Sequence, residues 1–170
     1  MKEKRELYRR KMEKTIYTDI IAELEEAIVL SNSGKEKESN DAVNAIKEKL
    51  EKRIYEIEKM KEAVKYFEGE HDFKAFRASG TSSKSSVRKI YKAEVKEMPN
   101  EKIYIELTGN GFLYNMVRII AGTLVDVGLG KIEPKEIENI IKSKKRENAG
   151  KTLQPQGLYL LNVEYEECKQ

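Results

Sequence analysis

The spacing of apolar residues changes once along this chain, at Gly69, and that change limits the possible folds more than any other feature. Before it, Ile16, Ile20, Leu24, Ala27 and Ile28 step at helical spacing. Ser31-Asn32-Ser33-Gly34 breaks the pattern, and Val43, Ile46, Leu50, Ile54, Ile57, Met60, Ala63, Val64 and Phe67 then resume it. Steps of three and four keep each set on one helix face. The second helix is expected to start near Ser39 or Asp41, with Ser39 as its N-cap. Gly69 suits the position just past a helix C-terminus. Beyond it, residues 87–95 and 103–107 alternate and are rich in Val, Ile and Tyr, with a turn signal over 97–101 between them. They predict two antiparallel strands. Residues 115–127 predict an apolar helix, Glu133-Pro134 opens another, and 158–165 reads as a closing strand. The order predicts an α+β fold: a helical hairpin over residues 1–57, then a domain over 58–170 with an antiparallel sheet and helices packed on one face.

Composition narrows the chemistry. Charged residues make up 37% of the 170, and no apolar run reaches the length that spans a bilayer. The charged start, Met1-Lys2-Glu3-Lys4-Arg5, lacks the apolar core of a secretory signal. A single cysteine, Cys168, gives no disulfide framework and fits a reducing cytoplasm. A single histidine, His71, argues against a zinc site or a histidine-based triad. The net charge of +3 is uneven: residues 1–70 carry 16 Lys/Arg against 17 Asp/Glu, and residues 71–170 carry 17 against 13. The second part is therefore the better partner for a polyanion.

Three segments could carry function. Residues 79–83 form a Ser/Thr/Gly loop flanked by Arg77, Lys84, Arg88 and Lys89, and hydroxyls with cations suit phosphate contact. The alternative is a mobile surface loop. Lys142, Lys144, Lys145, Arg146 and Lys151 form a second basic stretch just before Gly157-Leu158-Tyr159-Leu160. Apolar residues beside a phosphate track would accept a splayed-out nucleobase, although strand alternation alone would put one of Tyr159 and Leu160 in a core. Thirdly, Arg118 lies in an otherwise core-like run that includes Met116, Val117, Ile119, Ile120 and Leu124. An arginine buried there needs an acid, from the chain or from outside, because an unpaired buried charge costs several kcal/mol (roughly). Such an arginine can hold a carboxylate ionised for attack, or it can simply snorkel to the surface.

These residues carry a resemblance. The run Gly109-Asn110-Gly111-Phe112-Leu113-Tyr114-Asn115-Met116-Val117-Arg118 resembles the GNgFLynMVR signature of the tRNA pseudouridine synthase A family. Gly69-Glu70-His71-Asp72-Phe73, Val87-Arg88-Lys89-Ile90, Gly128-Leu129-Gly130-Lys131, Ala149-Gly150-Lys151-Thr152 and Gly157-Leu158-Tyr159-Leu160 resemble its other landmarks in order, over roughly residues 58–166. The resemblance implies an isomerase that converts uridine to pseudouridine in the tRNA anticodon arm without metal or organic cofactor. It implies Arg118 as the partner of a catalytic aspartate, and a base pocket around Tyr114, Leu158 and Leu160. It also implies a homodimer with tRNA held across basic clefts, for which Arg77, Lys84, Arg88, Lys89, Lys145, Arg146 and Lys151 are the candidate contacts. The family aspartate lies in an R-T-D-x-G-V-H-A segment that has no counterpart in this sequence. The expectation is therefore the C-terminal half of such an enzyme, inactive alone, with the acid supplied by a missing half or a partner chain. The alternative is a non-catalytic RNA-binding or dimerisation module. Lys145-Arg146 in place of D-R, and Leu153-Gln154-Pro155 in place of T-A-P-P, depart from the family pattern.

Overall fold

The computed structural model describes residues 22–80, 83–98 and 102–164. A first helix, α1, covers 22–32, and α2 runs over Glu36–Lys65. Strands β1 (Gly69–Asp72), β2 (Val87–Glu97) and β3 (Ile103–Gly109) follow, then α3 (Met116–Gly128) and α4 (Glu136–Ser143). Short 3-10 turns lie at Phe73–Phe76, Arg146–Asn148 and Pro155–Gly157. The strands pair in the order β1-β2-β3, both pairings antiparallel, with a bulge between Ile90 and Lys92. The expected α+β architecture is present, with α1 and α2 ahead of the sheet, α3 and α4 after it, and a core on one of its faces.

The helical stripe and the strand alternation meet in that core. Met60, Ala63, Val64 and Phe67 from α2, Ile90, Ala93 and Val95 from β2, and Met116, Ile119, Ile120, Leu124 and Val127 from α3 are all buried together. Phe73 and Phe76 anchor the 3-10 turn in the same cluster, Phe76 edge-on to Phe67 at 5.1 Å between ring centres. Asp72 caps that turn, accepting from the Lys74 amide at 3.2 Å. On the opposite sheet face, Glu94 and Glu106 stand directly across from each other, an arrangement that is unfavourable for like charges. Lys96 lies between them, with Nζ 3.0 Å from Glu94 and 2.6 Å from Glu106. Together Lys92 and Lys96 hold the Glu94 carboxyl down at about 2, against an ordinary 4.5.

Two sequence expectations fail. The second helix starts at Glu36 rather than at Ser39 or Asp41. Ser39 is not an N-cap: it is buried one turn inside α2, and its Oγ donates to Ala27 O of α1 at 2.7 Å. With Lys49 paired to Glu23 at 3.0 Å, this bond joins the two helices of the hairpin. Residues 158–164 form no strand. Their alternation is suited to a ladder, but a strand exists only where a neighbouring strand takes its N–H and C=O groups, and among the described residues the segment's one backbone bond is Leu158 N to Pro155 O at 3.0 Å. Conversely β1, for which the sequence pattern gives no strand signal, pairs fully with β2 from Gly69↔Ile90 to Asp72↔Val87.

Candidate functional site

Residues 109–118 place Arg118 by a chain of local requirements. A Cβ on Gly109 would lie 2.6 Å from Lys89 O, so only glycine lets β3 close on β2 there. Asn110 extends the pairing: its amide donates to Lys89 O at 3.0 Å and its Oδ1 accepts from Lys89 N at 2.9 Å. Leu113 is buried, while Phe112 and Tyr114 on either side of it are exposed. Asn115 then takes a left-handed conformation (φ 60°), which asparagine tolerates better than most residues, and α3 begins at the next residue.

Arg118, half-buried near the start of α3, finds two neutral oxygens and no acid among the described residues. Its Nη1 donates to Asn115 Oδ1 at 2.8 Å and its Nε to Leu153 O at 2.6 Å. The Leu153 amide returns a bond to Arg118 O at 3.3 Å. Among the described residues Arg118 makes no ion pair. Partial exposure lets water offset the missing charge partner, so the strict demand for an acid in a sealed core does not apply here.

The segment that presents Leu153 is fixed against α3 at a very close crossing. Gly150 N donates to Thr123 Oγ1 at 2.9 Å, and Thr123 Oγ1 donates to Ile119 O at 2.8 Å. A Cβ on Gly122 would lie 1.9 Å from Lys151 O, and one on Gly150 2.6 Å from Thr123 N. Two glycines and a threonine therefore hold residues 150–153 over the helix that carries Arg118.

The cationic residues fall into two linked groups. Arg88 is half-buried and donates to Ser85 O, Val87 O and Ser83 Oγ, and it lies alongside Gly111, whose Cβ position is 3.8 Å from Arg88 Nε. Lys84 and Lys89 are exposed, and Arg77 is half-buried. In the second group Lys145 and Lys151 are exposed, whereas the Arg146 guanidinium turns inward to Ala149 O (3.1 Å) and Thr152 Oγ1 (3.2 Å). Asp72 ties the groups together. It accepts from Ser86 Oγ at 2.5 Å and pairs with Lys144 Nζ at 2.9 Å, and these contacts, Ser86 foremost, hold its carboxyl below the ordinary 3.8. Tyr114, Leu158 and Leu160 are each at least half exposed, so none of them lies in a closed pocket. Sequence reasoning missed Asn115 and the Leu153 carbonyl as partners of Arg118. An asparagine three residues before an arginine at a helix start was the available signal for the first. A backbone acceptor 35 residues away left none for the second.

Residues 63–166 match the family described as tRNA pseudouridine synthase. The chain is 53% identical over 109 residues to the tRNA pseudouridine synthase A of Ruminiclostridium cellulolyticum, a match covering 64% of this chain and 44% of that protein. It is 54% identical over 109 residues to the corresponding protein of a Thermoanaerobacter species, with the same two coverages of 64% and 44%. It is 47% identical over 110 residues to that of Bacillus subtilis, covering 65% of this chain and 44% of the relative. The chain thus spans less than half the length of the curated relatives it matches.

Proposed function

The chain belongs to the tRNA pseudouridine synthase family, and on that premise we propose that it supplies the arginine-bearing half of an enzyme that isomerises uridine in the tRNA anticodon arm. Isomerisation breaks the N1–C1′ bond, joins C1′ to C5, returns a proton to N1 and releases the C5 proton to solvent. It needs an acid-derived nucleophile or base near the flipped base, and a cation to keep that acid ionised. Arg118 is the cation. The observation that carries the reading is its state: a half-buried guanidinium held by Asn115 and Leu153, with no carboxylate paired to it among the described residues. The aspartate comes from the half that the relatives have and this chain does not match, or from a partner chain. Tyr114, Leu158 and Leu160 line the base pocket once that half is in place. Arg77, Lys84, Arg88, Lys89, Lys145 and Lys151 run along the tRNA backbone, with Arg146 bracing the loop that carries Lys145 and Lys151, and the protein works in the cytoplasm without metal or organic cofactor.

A second reading has its own support. Leu24, Ile28, Val43, Leu50 and Ile54 of α1 and α2 are exposed, which favours a hairpin that dimerises and a chain that binds RNA without catalysis.

Filter binding of tRNA against salt tests the shared part. Phosphate contacts release counterions, so affinity rises steeply as salt falls, and Lys145→Gln and Lys151→Gln each flatten the log–log slope by about one. Absence of tRNA binding at low salt contradicts the proposal. Under the second reading, binding persists, but no complement ever produces pseudouridine.

A further inference from the structure

We infer that Asp72 is a positioning residue for tRNA binding: its carboxylate clamps the two cationic loops to each other, so that both meet one RNA backbone at a fixed spacing. The inference rests on the family reading above, and it adds to that reading a residue whose charge is wrong for RNA contact. Asp72 closes β1 opposite Val87. Its Oδ1 accepts from Ser86 Oγ at 2.5 Å and from the Lys74 amide at 3.2 Å. Its Oδ2 pairs with Lys144 Nζ at 2.9 Å, and the side chain is only 24% exposed. One oxygen therefore holds the loop before β2, and the other holds the loop after α4. The 3-10 turn that follows Asp72 packs on α4 and on the turn Arg146–Asn148, so the clamp lies at a packed junction.

Each loop carries that position further. In the first, Ser86 O accepts from the Phe73 amide at 2.9 Å, and Arg88 donates to Ser85 O at 3.1 Å and to Ser83 Oγ at 3.0 Å. Fixing Ser86 therefore fixes the loop that carries Lys84 and supports Arg88. In the second, Lys144 ends α4 in a left-handed conformation (φ 54°), which residues other than glycine, asparagine and aspartate seldom adopt. The bridge to Asp72 holds it there. The chain then runs through Lys145 to Lys151, whose carbonyl lies against Gly122. Two cationic loops that keep their spacing bind a polyanion more tightly than two that move, because less order has to be imposed on binding. The sign of the effect separates this role from simple electrostatics. Asp72→Asn raises the net charge by one and releases Lys144, while asparagine keeps an oxygen for Ser86 and Lys74. If Asp72 were only a surface acid, its loss would leave tRNA affinity unchanged or tighten it by up to about 3-fold.

The test is filter binding of tRNA by the full chain and its variants against salt, together with amide hydrogen exchange of the free proteins. Asp72→Asn is expected to weaken binding by at least about 10-fold and to lower the log–log salt slope by about two, the share of Lys145 and Lys151. Exchange at residues 144–149 should quicken by at least about 10-fold, while β2 and α3 keep their protection. Lys144→Gln breaks the same bridge at an exposed side chain and is expected to weaken binding by at least about 10-fold. Lys142→Gln, which removes the same charge from the same helix, should weaken it by less than about 3-fold. If β2 and α3 lose protection in Asp72→Asn, the comparison of Lys144→Gln with Lys142→Gln decides alone. Unchanged or tighter binding by a folded Asp72→Asn, or equal losses from the two lysine variants, overturns the inference. Faster exchange at 144–149 in Asp72→Asn, with no tRNA binding by the parent, upholds the clamp and overturns the functional reading. Binding of tRNA by the parent, with neither affinity nor exchange altered in Asp72→Asn, overturns this inference alone.

Discussion

Replacing Gly122 with alanine puts a methyl group where the Lys151 carbonyl already sits. The added Cβ would stand 1.9 Å from that oxygen, against an ordinary contact of at least 3.4 Å, so residues 150–153 must retreat by roughly 1.5 Å. Overpacking of this kind costs about 1–3 kcal/mol. The retreat also stretches the Gly150 N to Thr123 Oγ1 and Leu153 N to Arg118 O bonds, worth about 1 kcal/mol each. Alanine's better helix propensity returns about 1 kcal/mol. The net is a loss of about 2–4 kcal/mol, or a fall of roughly 4–16 °C in melting temperature for a chain of this size. Calorimetry and urea unfolding measure it, with Gly157→Ala, which meets nothing within 4 Å, as the neutral control. Because Arg118 loses its Leu153 acceptor in the same movement, tritium release by the chain combined with the relatives' unmatched portion falls together with stability. A Gly122→Ala variant as stable as the parent, or more so, would mean that propensity outweighs the crossing, and the account of how Arg118 is positioned would fail.

Three further outcomes follow from the same geometry. Glu94 is held at about 2, so the stability it contributes is fully present above its ordinary 4.5 and is lost as pH falls from there through about 2; Lys96→Met moves its carboxyl titration, followed by NMR, back toward 4.5, and an unmoved titration refutes the Lys96 bridge. Arg146→Gln is expected to cost about 1–2 kcal/mol in urea unfolding, because its guanidinium braces Ala149 and Thr152 rather than facing solvent; unchanged stability would return Arg146 to the surface cations. Ser39→Ala removes a buried donor from Ala27 O, so amides of α1 should exchange faster while β2 and α3 keep their protection; uniform exchange throughout would show that the hairpin does not depend on this bond.

The legible parts of the chain were those whose signal is local. The α2 stripe, the alternation of β2 and β3 and the apolar α3 each depend on neighbours a few residues away, and each formed where periodicity put it. Parts that depend on distant neighbours were read less well. β1 is only four residues long and exists because β2 lies beside it. Residues 158–164 carry strand-like alternation with no ladder among the described residues, so the same local signal gave a strand where the fold has none. Ser39 has the residue type of a cap, but a contact 12 residues away sets its role. At the site, Arg118 stood out as a lone charge in an apolar run, whereas its neutral partners Asn115 and Leu153 emerged only from the loop conformation and the α3 crossing. The family resemblance rested on several motifs in order, and the match over residues 63–166 agrees with it.

Release of tritium from tRNA labelled at uridine C5 tests the central claim most directly. The chain alone should release none above background. The chain with the relatives' unmatched portion should release tritium, and Arg118→Gln should abolish that release while leaving tRNA bound. Release by this chain alone would contradict the account, because the acid would then have to come from its own residues and Arg118 would not be waiting for one.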